Sequence, residues 1–303
     1  MKPNTTRPPA RHTLLGLPVD ALTLDEAVTR VSAQIESARH LRQRQAARST
    51  SDTVNDTSTA EHATPTPADS LHPMEGFAAA SLWQVVTLNP EIAMQARRDP
   101  LLRAIIRAAP LVTADGIGIV WALWLRGVRL PARVTGIDLL EALASRSASS
   151  GYQLFLLGAS PGVAKQAGEA LLRRYPGLQL AGAWAGSPDP ADDAETLHRL
   201  REARPDILCV AYGAPAQERW IARINQSLVV DMQSAETLAG VVAIGVGGAF
   251  DMLAGQIPRA PRWLRAIGLE WLYRLARQPW RWRRMLALPR FALVVLRERK
   301  DMD

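Results

Sequence analysis

The segment Thr113-Ala-Asp115-Gly116-Ile-Gly118 sets a carboxylate beside two glycines, just after a short apolar run. A carboxylate so placed can take the proton of a substrate hydroxyl, the task of a general base. It can equally cap a helix, because Asp accepts hydrogen bonds from exposed first-turn N–H groups. Thr87-Leu-Asn89-Pro90 ends another apolar run. Thr87 and Asn89 offer a hydroxyl and an amide to a sugar or a diphosphate, or they cap a helix with Pro at its first position. Arg133, in Arg-Val-Thr-Gly136, is either a phosphate partner or a solvated surface cation. Gln217 and Glu218 follow Pro215 at a helix start. There they line a polar pocket or complement the helix dipole.

Four glycine-bearing segments also fall at the ends of apolar runs. They are Gly158-Ala-Ser-Pro-Gly162, Gly182-Ala-Trp-Ala-Gly186-Ser187, Gly213-Ala-Pro-Ala-Gln217-Glu218 and Gly245-Val-Gly247-Gly248-Ala-Phe-Asp251. Glycine lets the backbone approach a ligand closely, and the helix N-termini that follow attract anions. A nucleotide diphosphate suits that arrangement, although each loop alone reads as an ordinary strand–helix turn. None matches the P-loop, and the last carries GxGG where a dinucleotide fingerprint needs GxGxxG. The histidines at 12, 40, 62, 72 and 198 make no metal-ligand spacing, and Asp192-Asp193 reads as a helix start. No metal or other cofactor is expected. The single cysteine, Cys209, lies in the apolar run Ile207–Ala211 and reads as a packing residue. One cysteine excludes a disulfide framework and points to a reducing compartment.

These groups need a scaffold, and 303 residues at 48% hydrophobic content supply a sizeable core. Apolar runs at Trp83–Leu88, Ala109–Thr113, Tyr152–Leu157, Leu178–Ala183, Ile207–Ala211 and Val241–Val246 read as strands. Helical spacing fills the intervals: Pro90 to Ala108, Ile117 to Arg126, Asp138 to Ser149, Pro161 to Tyr175, and stretches near Asp193–Arg204 and Pro215–Ser227. That alternation predicts an α/β fold, a Rossmann-like parallel sheet flanked by helices. In such sheets ligands bind beyond the carboxyl ends of the strands. Upstream, Leu14 to Ala38 reads as a strand, a turn and a helix opened by the capping-box pair Thr23 and Glu26. Residues 43–80 are rich in Ser, Thr, Ala, Asp and Pro and are expected to be a disordered insertion in a catalytic body spanning 1–258.

The remaining segment, 259–303, is a helical basic appendage. It holds 12 of the 36 Lys/Arg and 4 of the 29 Asp/Glu, a local net of +8, while the other 258 residues sum to −1. Four of nine tryptophans are in it: Trp263, Trp271, Trp280 and Trp282. A basic segment seeks phosphates, and tryptophan beside arginine tilts the choice toward a bilayer interface. Trp263, Ile267, Trp271 and Leu275 recur every four residues, one face of a helix, with cations at Arg262, Arg265, Arg274, Arg277, Arg281, Arg283 and Arg284. Either that face docks on the body, or it lies at the interface and guides a lipid-linked phosphate to the site. Pro289 should break or kink the last helix. No apolar stretch of about 18 residues suits a transmembrane helix, and the N-terminus lacks a signal-peptide core.

Several strings occur together and in one order: Thr87-Leu-Asn89-Pro-Glu91, Ala114-Asp115-Gly116, Arg133-Val-Thr-Gly136, Leu156-Leu-Gly158, Gly213-Ala-Pro215-Ala-Gln217-Glu218, Gly245-Val-Gly-Gly-Ala-Phe-Asp251, Arg259-Ala-Pro261 and Leu269-Glu-Trp-Leu-Tyr-Arg274. In these the chain resembles the WecG/TagA/CpsF family of bacterial glycosyltransferases. The resemblance implies an inverting, metal-independent transfer from a UDP-sugar to a polyprenyl-diphosphate-linked sugar, in cell-surface polysaccharide assembly. It implies Asp115 as the general base, Thr87 and Asn89 in the active site, and Arg133 and Gln217 near the diphosphate or sugar. The glycine loops, with Gly158, Gly186, Gly213, Glu218, Gly247 and Asp251, would line the substrate site. Arg259, Arg274, Arg281 and Arg284 of the appendage would meet the membrane and the acceptor's diphosphate. It further implies a cytoplasmic protein, peripheral on the inner face of the plasma membrane and able to self-associate away from it.

Two other classes make different demands. A nicotinamide-dependent dehydrogenase needs a full GxGxxG after its first strand and an acidic residue about 20 positions on, and neither occurs. A nucleic-acid-binding protein would interleave its basic residues with stacking or base-reading groups and weaken steeply with salt. The Trp- and Leu-rich face of the appendage suits a bilayer better, so no nucleic-acid partner is expected.

Overall fold

The computed structural model describes residues 9–55, 81–228 and 237–300. Its centre is a six-stranded parallel sheet in the order β4-β3-β8-β7-β5-β6. The strands are β3 (Trp83–Leu88), β4 (Leu111–Ala114), β5 (Gln153–Gly158), β6 (Gln179–Trp184), β7 (Ile207–Ala211) and β8 (Val242–Gly245). Their near-continuous apolar runs suit strands covered on both faces. Alternation sorts the side chains: Ile207, Cys209 and Ala211 face one core, Leu208 and Val210 the other. Each fully buried aliphatic side chain contributes about 1.5–3 kcal/mol. The α/β, Rossmann-like expectation therefore holds.

A hairpin precedes the sheet where one strand was expected. β1 (Arg11–Leu14) and β2 (Leu17–Asp20) pair antiparallel across Leu15-Gly16, both with positive φ, at 53° and 74°. That two-residue turn matches the twist of the flanking strands. Buried Asp20 accepts from the Arg11 guanidinium at 2.8 and 2.9 Å and from the Val112 N–H at 2.7 Å, which pins the hairpin to β4. Helix α1 (Leu24–Asn55) opens with the expected capping box. The Thr23 N–H donates to Glu26 Oε2 at 2.7 Å, and the Glu26 N–H to Thr23 Oγ1 at 3.2 Å. The helix continues to Asn55, so the loose insertion does not begin at residue 43. Gln43-Arg-Gln-Ala-Ala-Arg48 are good helix formers and prolong it. Residues 56–80 lie outside the described residues.

The helix expected over 90–108 is two, α2 (Pro90–Ala96) and α3 (Pro100–Ala108). Asp99 caps α3 by accepting from the Leu102 N–H at 3.1 Å, and Pro100 has no N–H to extend α2. α4 (Ile117–Trp124), α5 (Gly136–Ser150), α6 (Val163–Arg174), α7 (Asp193–Ala203) and α8 (Ala216–Leu228) follow at the expected places, and a short α9 (Ala249–Leu253) follows β8. The chain leaves β3 toward β4 at one edge, and all later strands lie on the other side of β3. That reversal opens a crevice at the carboxyl ends of β3 and β8.

The C-terminal segment breaks into α10 (Arg262–Ala266), α11 (Glu270–Arg277), a 3-10 turn at Pro279–Arg281, α12 (Trp282–Met285) and α13 (Ala287–Lys300). Gly268, at φ +78°, divides α10 from α11, so Trp263 and Leu275 do not share one helix face. A Cβ at Gly268 would stand 2.7 Å from Ile117 Cγ1, so the close approach requires glycine. Pro289 cannot donate to the Met285 carbonyl, and α12 ends there as expected. On α13, Phe291 and Val295 are buried in the same core as Val86, Leu88 and Ile119.

Candidate active site

Two cavities meet at the carboxyl end of the sheet. The larger, about 570 Å³, is walled by the loops after β3, β5, β6, β7 and β8. The smaller, about 160 Å³, lies between the ends of β3 and β4 and the C-terminal helices. Asn89, Glu91, Asp115, Arg274 and Arg284 line both. The carboxylate singled out first thus stands at the junction.

Asp115 does not cap the helix that follows it. Gly116 occupies the N-cap of α4, and that cap has no side-chain hydrogen bond. The Asp115 N–H donates to the Leu88 carbonyl at 2.8 Å, which holds the ends of β3 and β4 together. Its Oδ2 accepts the Gly136 N–H at 3.1 Å. Burial lifts the carboxyl to about 6; the Gly136 N–H, Arg133 and Arg274 oppose that rise, and Glu270 adds to it. A carboxylate near 6 is ionised at neutral pH yet more basic than an ordinary aspartate, which suits a proton acceptor.

Thr87 is buried, and its hydroxyl donates to the Gly245 carbonyl at 2.8 Å, tying β3 to the end of β8. Asn89 is a helix cap and a cavity residue at once. Its Oδ1 accepts the Ile92 N–H at 3.0 Å, which points the Nδ2 end away from the helix. Gln217 lines the larger cavity, accepting the Gly247 N–H at 3.0 Å and donating to Glu218 Oε1 at 2.8 Å. Glu218 itself was expected to line the substrate site and does not. It is 1% exposed, and its Oε2 has no hydrogen-bond partner. Burial pushes it up to about 7, against the hydrogen bonds from Gln217 and from its own N–H. It faces inward from the first turn of α8 and meets the cavity-lining Gln217 by that hydrogen bond.

Gly186, Gly213 and Gly247 line the larger cavity, as does Asp251. All three glycines have positive φ, at 51°, 78° and 52°. Gly158 does not line it. There a Cβ would lie 2.7 Å from the Ala211 carbonyl carbon, so this glycine lets β5 close against β7. Gly182 lies within β6 over the Phe155 ring, not in the loop beyond.

The arginines divide. Arg274 reaches the glycine turn after β8, its Nη2 3.0 Å from where a Cβ on Gly248 would stand. Arg284 faces Glu91 at 3.4 Å across the junction. Arg133 lines the smaller cavity only and donates to Glu270 at 3.5 Å. Arg259 lines neither. It pairs with Asp138, Glu141 and Glu270, so it straps the appendage to the body and is not offered to a lipid diphosphate. The Arg281 side chain lies outside the described residues. Trp271 and Leu275 wall the smaller cavity, whereas Trp263 and Ile267 are exposed.

Sequence reasoning gave no role to Glu91, Glu270, Ser160 or Tyr212, which also line the cavities. Tyr212 carried a signal, as an aromatic directly after an all-buried strand. Glu91 and Glu270 stand in the first turns of α2 and α11. Among the described residues, no group of three or more His, Cys, Asp or Glu side chains could hold a metal ion.

Two curated relatives match most of the chain. A protein of Bacillus subtilis (strain 168) is 34% identical over 217 residues, 72% of this chain and 80% of its own length. One from Bacillus spizizenii is 33% identical over 216 residues, 71% of this chain and 79% of its own. Both are named N-acetylglucosaminyldiphosphoundecaprenol N-acetyl-beta-D-mannosaminyltransferase. The profile of the glycosyl transferase WecG/TagA/CpsF family matches residues 63–303, and with these relatives it shows that the chain is a glycosyltransferase belonging to that family.

Proposed function

We propose that the chain transfers a sugar from a UDP-sugar to a sugar carried on a polyprenyl diphosphate, with inversion, in bacterial cell-surface polysaccharide assembly. The observation that carries this reading is the meeting of two cavities on Asp115. The larger has glycine turns and helix N-termini suited to a nucleoside diphosphate. The smaller is lined by Trp271 and Leu275 as well as Arg133 and Arg274, a lining suited to a sugar diphosphate with an apolar tail.

Asp115 takes the proton of the acceptor hydroxyl as that oxygen forms its bond to the anomeric carbon. The bond from that carbon to UDP breaks on the opposite face, and the electron pair leaves with UDP. One in-line displacement inverts the centre, so one base suffices and no covalent intermediate forms. Arg274, Arg284 and the N–H groups of the β8 turn offset the charge gathering on the diphosphate. On this reading the residues present supply what a metal supplies elsewhere.

The acceptor's lipid requires a membrane surface. No described helix is long and apolar enough to cross one. Trp263, Trp280 and Trp282 are largely exposed among arginines, the composition of a segment lying at the cytoplasmic face of the plasma membrane. Self-association away from the membrane belongs to the same reading. The test is a donor screen with purified protein and a short-chain lipid-diphosphate-N-acetylglucosamine. UDP-N-acetylmannosamine comes first, because both relatives carry that specificity in their names. No glycosylated product with any UDP-sugar would refute the proposal.

A further inference from the structure

A second basic surface lies apart from the catalytic cavities. Between α2 and α13 runs a groove of about 360 Å³ lined by Arg97, Arg98, Arg290 and Arg297, together with Met94, Leu293 and Val294. Among the described residues no acidic side chain lines it. Among the described residues none of these four arginines makes an ion pair. The contrast with their neighbours is direct. Arg126 pairs with Glu298, Arg284 with Glu91, and Arg259 with Asp138. Four unpaired guanidinium groups around one concavity repel one another and favour a bound anion.

The local structure explains the arrangement. On α13, Phe291 and Val295 are buried, which turns Arg290, Leu293 and Arg297 outward at i, i+3 and i+7. Arg97 and Arg98 come from the end of α2. Leu293 is 56% exposed and Leu296 43%, so apolar surface lies beside the cations. We infer that this groove holds the phosphate of an anionic phospholipid headgroup at a bilayer surface. Guanidinium forks match phosphate oxygens, and the leucines meet the glycerol and first acyl carbons. Single-stranded nucleic acid calls for aromatic stacking platforms, and among the described residues no aromatic side chain lines the groove.

The position gives the site a purpose. Asn89 and Glu91, at the first turn of α2, line the catalytic junction, and Met94 and Arg97, at its far end, line the groove. Seven helical residues span about 10 Å. A headgroup in the groove therefore sets the acceptor cavity one short helix from the headgroup plane. This inference rests on the proposed membrane-surface reading and names the lipid class it uses.

Vesicle flotation of the full chain tests it, with phosphatidylcholine alone and with phosphatidylglycerol added. The wild type floats with the anionic vesicles. Arg97→Gln/Arg98→Gln and Arg290→Gln/Arg297→Gln each weaken that partition more than about tenfold at low salt, since each cation contributes roughly a fivefold factor. Transfer to a short-chain soluble acceptor stays at the wild-type rate in both. The two pairs sit on separate helices, so a folding defect in one leaves the other to decide. If the wild type floats and both variants float equally well, the groove assignment falls and the membrane reading stands. If the wild type floats with no vesicle, both fall. Flotation abolished by millimolar inorganic phosphate would assign the site to free phosphate instead. A duplex oligonucleotide bound in preference to vesicles, and lost in the same variants, would likewise overturn it.

Discussion

The Asp115 carboxylate accepts the backbone N–H of Gly136 at 3.1 Å, joining the end of β4 to the first residue of α5. Thr135 caps that helix, its Oγ1 accepting the Asp138 N–H at 3.2 Å, so the donor to Asp115 is itself held in place. One carboxylate oxygen is thereby anchored and the group stays at the junction of the cavities. Asp115→Asn keeps the shape and removes the base. Its kcat should fall by about 10²–10⁴ while UDP affinity stays unchanged. In the wild type, burial has raised the carboxyl to about 6, so kcat/KM should rise with pH through that value and then level. An Asn variant with full activity, or a profile flat from pH 5 to 8, would refute the assignment.

Arg133 and Arg274 both act on Asp115, but they stand in different rooms. Arg133 lines the smaller cavity alone, the acceptor's on the proposed reading, and Arg274 lines both. Arg133→Gln should therefore raise the acceptor KM with little change in UDP affinity. Arg274→Gln should weaken UDP binding and lower kcat as well, each by about tenfold to a hundredfold, the value of a charge-assisted hydrogen bond. Steady-state kinetics with each substrate varied in turn, beside calorimetry with UDP, separates the two. Identical profiles for both variants would contradict the division.

The sheet was legible because strands buried on both faces are near-continuous apolar runs, and Ile207–Ala211 is one. The β1–β2 hairpin was not, because Leu14-Leu15-Gly16-Leu17 shows no polar turn. At the site, sequence found Asp115 but left it open between base and cap. Only the fold shows that Gly116, not Asp115, takes the N-cap of α4 and that Asp115 stands where the two cavities meet. Asn89 proved to be both things at once. Arg259 looked like its arginine neighbours, because its partners Asp138 and Glu141 lie 121 and 118 residues away in the chain. The smaller cavity was unreadable for the same reason. Its walls come from α4 and from the C-terminal helices, which meet only in the folded chain.

Gly158 and Gly213 both have positive φ, at 113° and 78°, and both were expected at the substrate. Their surroundings differ. A Cβ at Gly158 would strike the Ala211 backbone at 2.7 Å, whereas one at Gly213 would meet nothing within 4 Å. Gly158→Ala should cost at least about 2–3 kcal/mol of stability, since two buried strand ends must move apart. Gly213→Ala should cost about 1–2 kcal/mol, the penalty of the left-handed backbone alone. Denaturant unfolding of both variants measures the difference. Equal losses would place the two glycines in the same role.

Glu218 differs from Asp115 in that it touches no substrate cavity, so its titration should appear in stability before it appears in rate. Burial raises its carboxyl from 4.5 to about 7. Below about 4.5 it is protonated in the folded and the unfolded chain alike. Between 4.5 and about 7 the folded chain keeps a proton that the unfolded chain has released, so this group's contribution falls as pH rises, by up to about 3 kcal/mol. Glu218→Gln cannot ionise and still accepts from the Gln217 amide. It should therefore unfold at a higher temperature than the wild type at pH 8 and lose that advantage toward pH 4.5. Because Gln217 keeps its hold on the Gly247 N–H, UDP affinity at pH 8 should be preserved. Glu218→Ala removes the acceptor for Gln217 Nε2, frees that side chain to turn, and should weaken UDP binding. Parallel melting curves for wild type and Glu218→Gln across that range would show that the buried carboxyl does not titrate with folding.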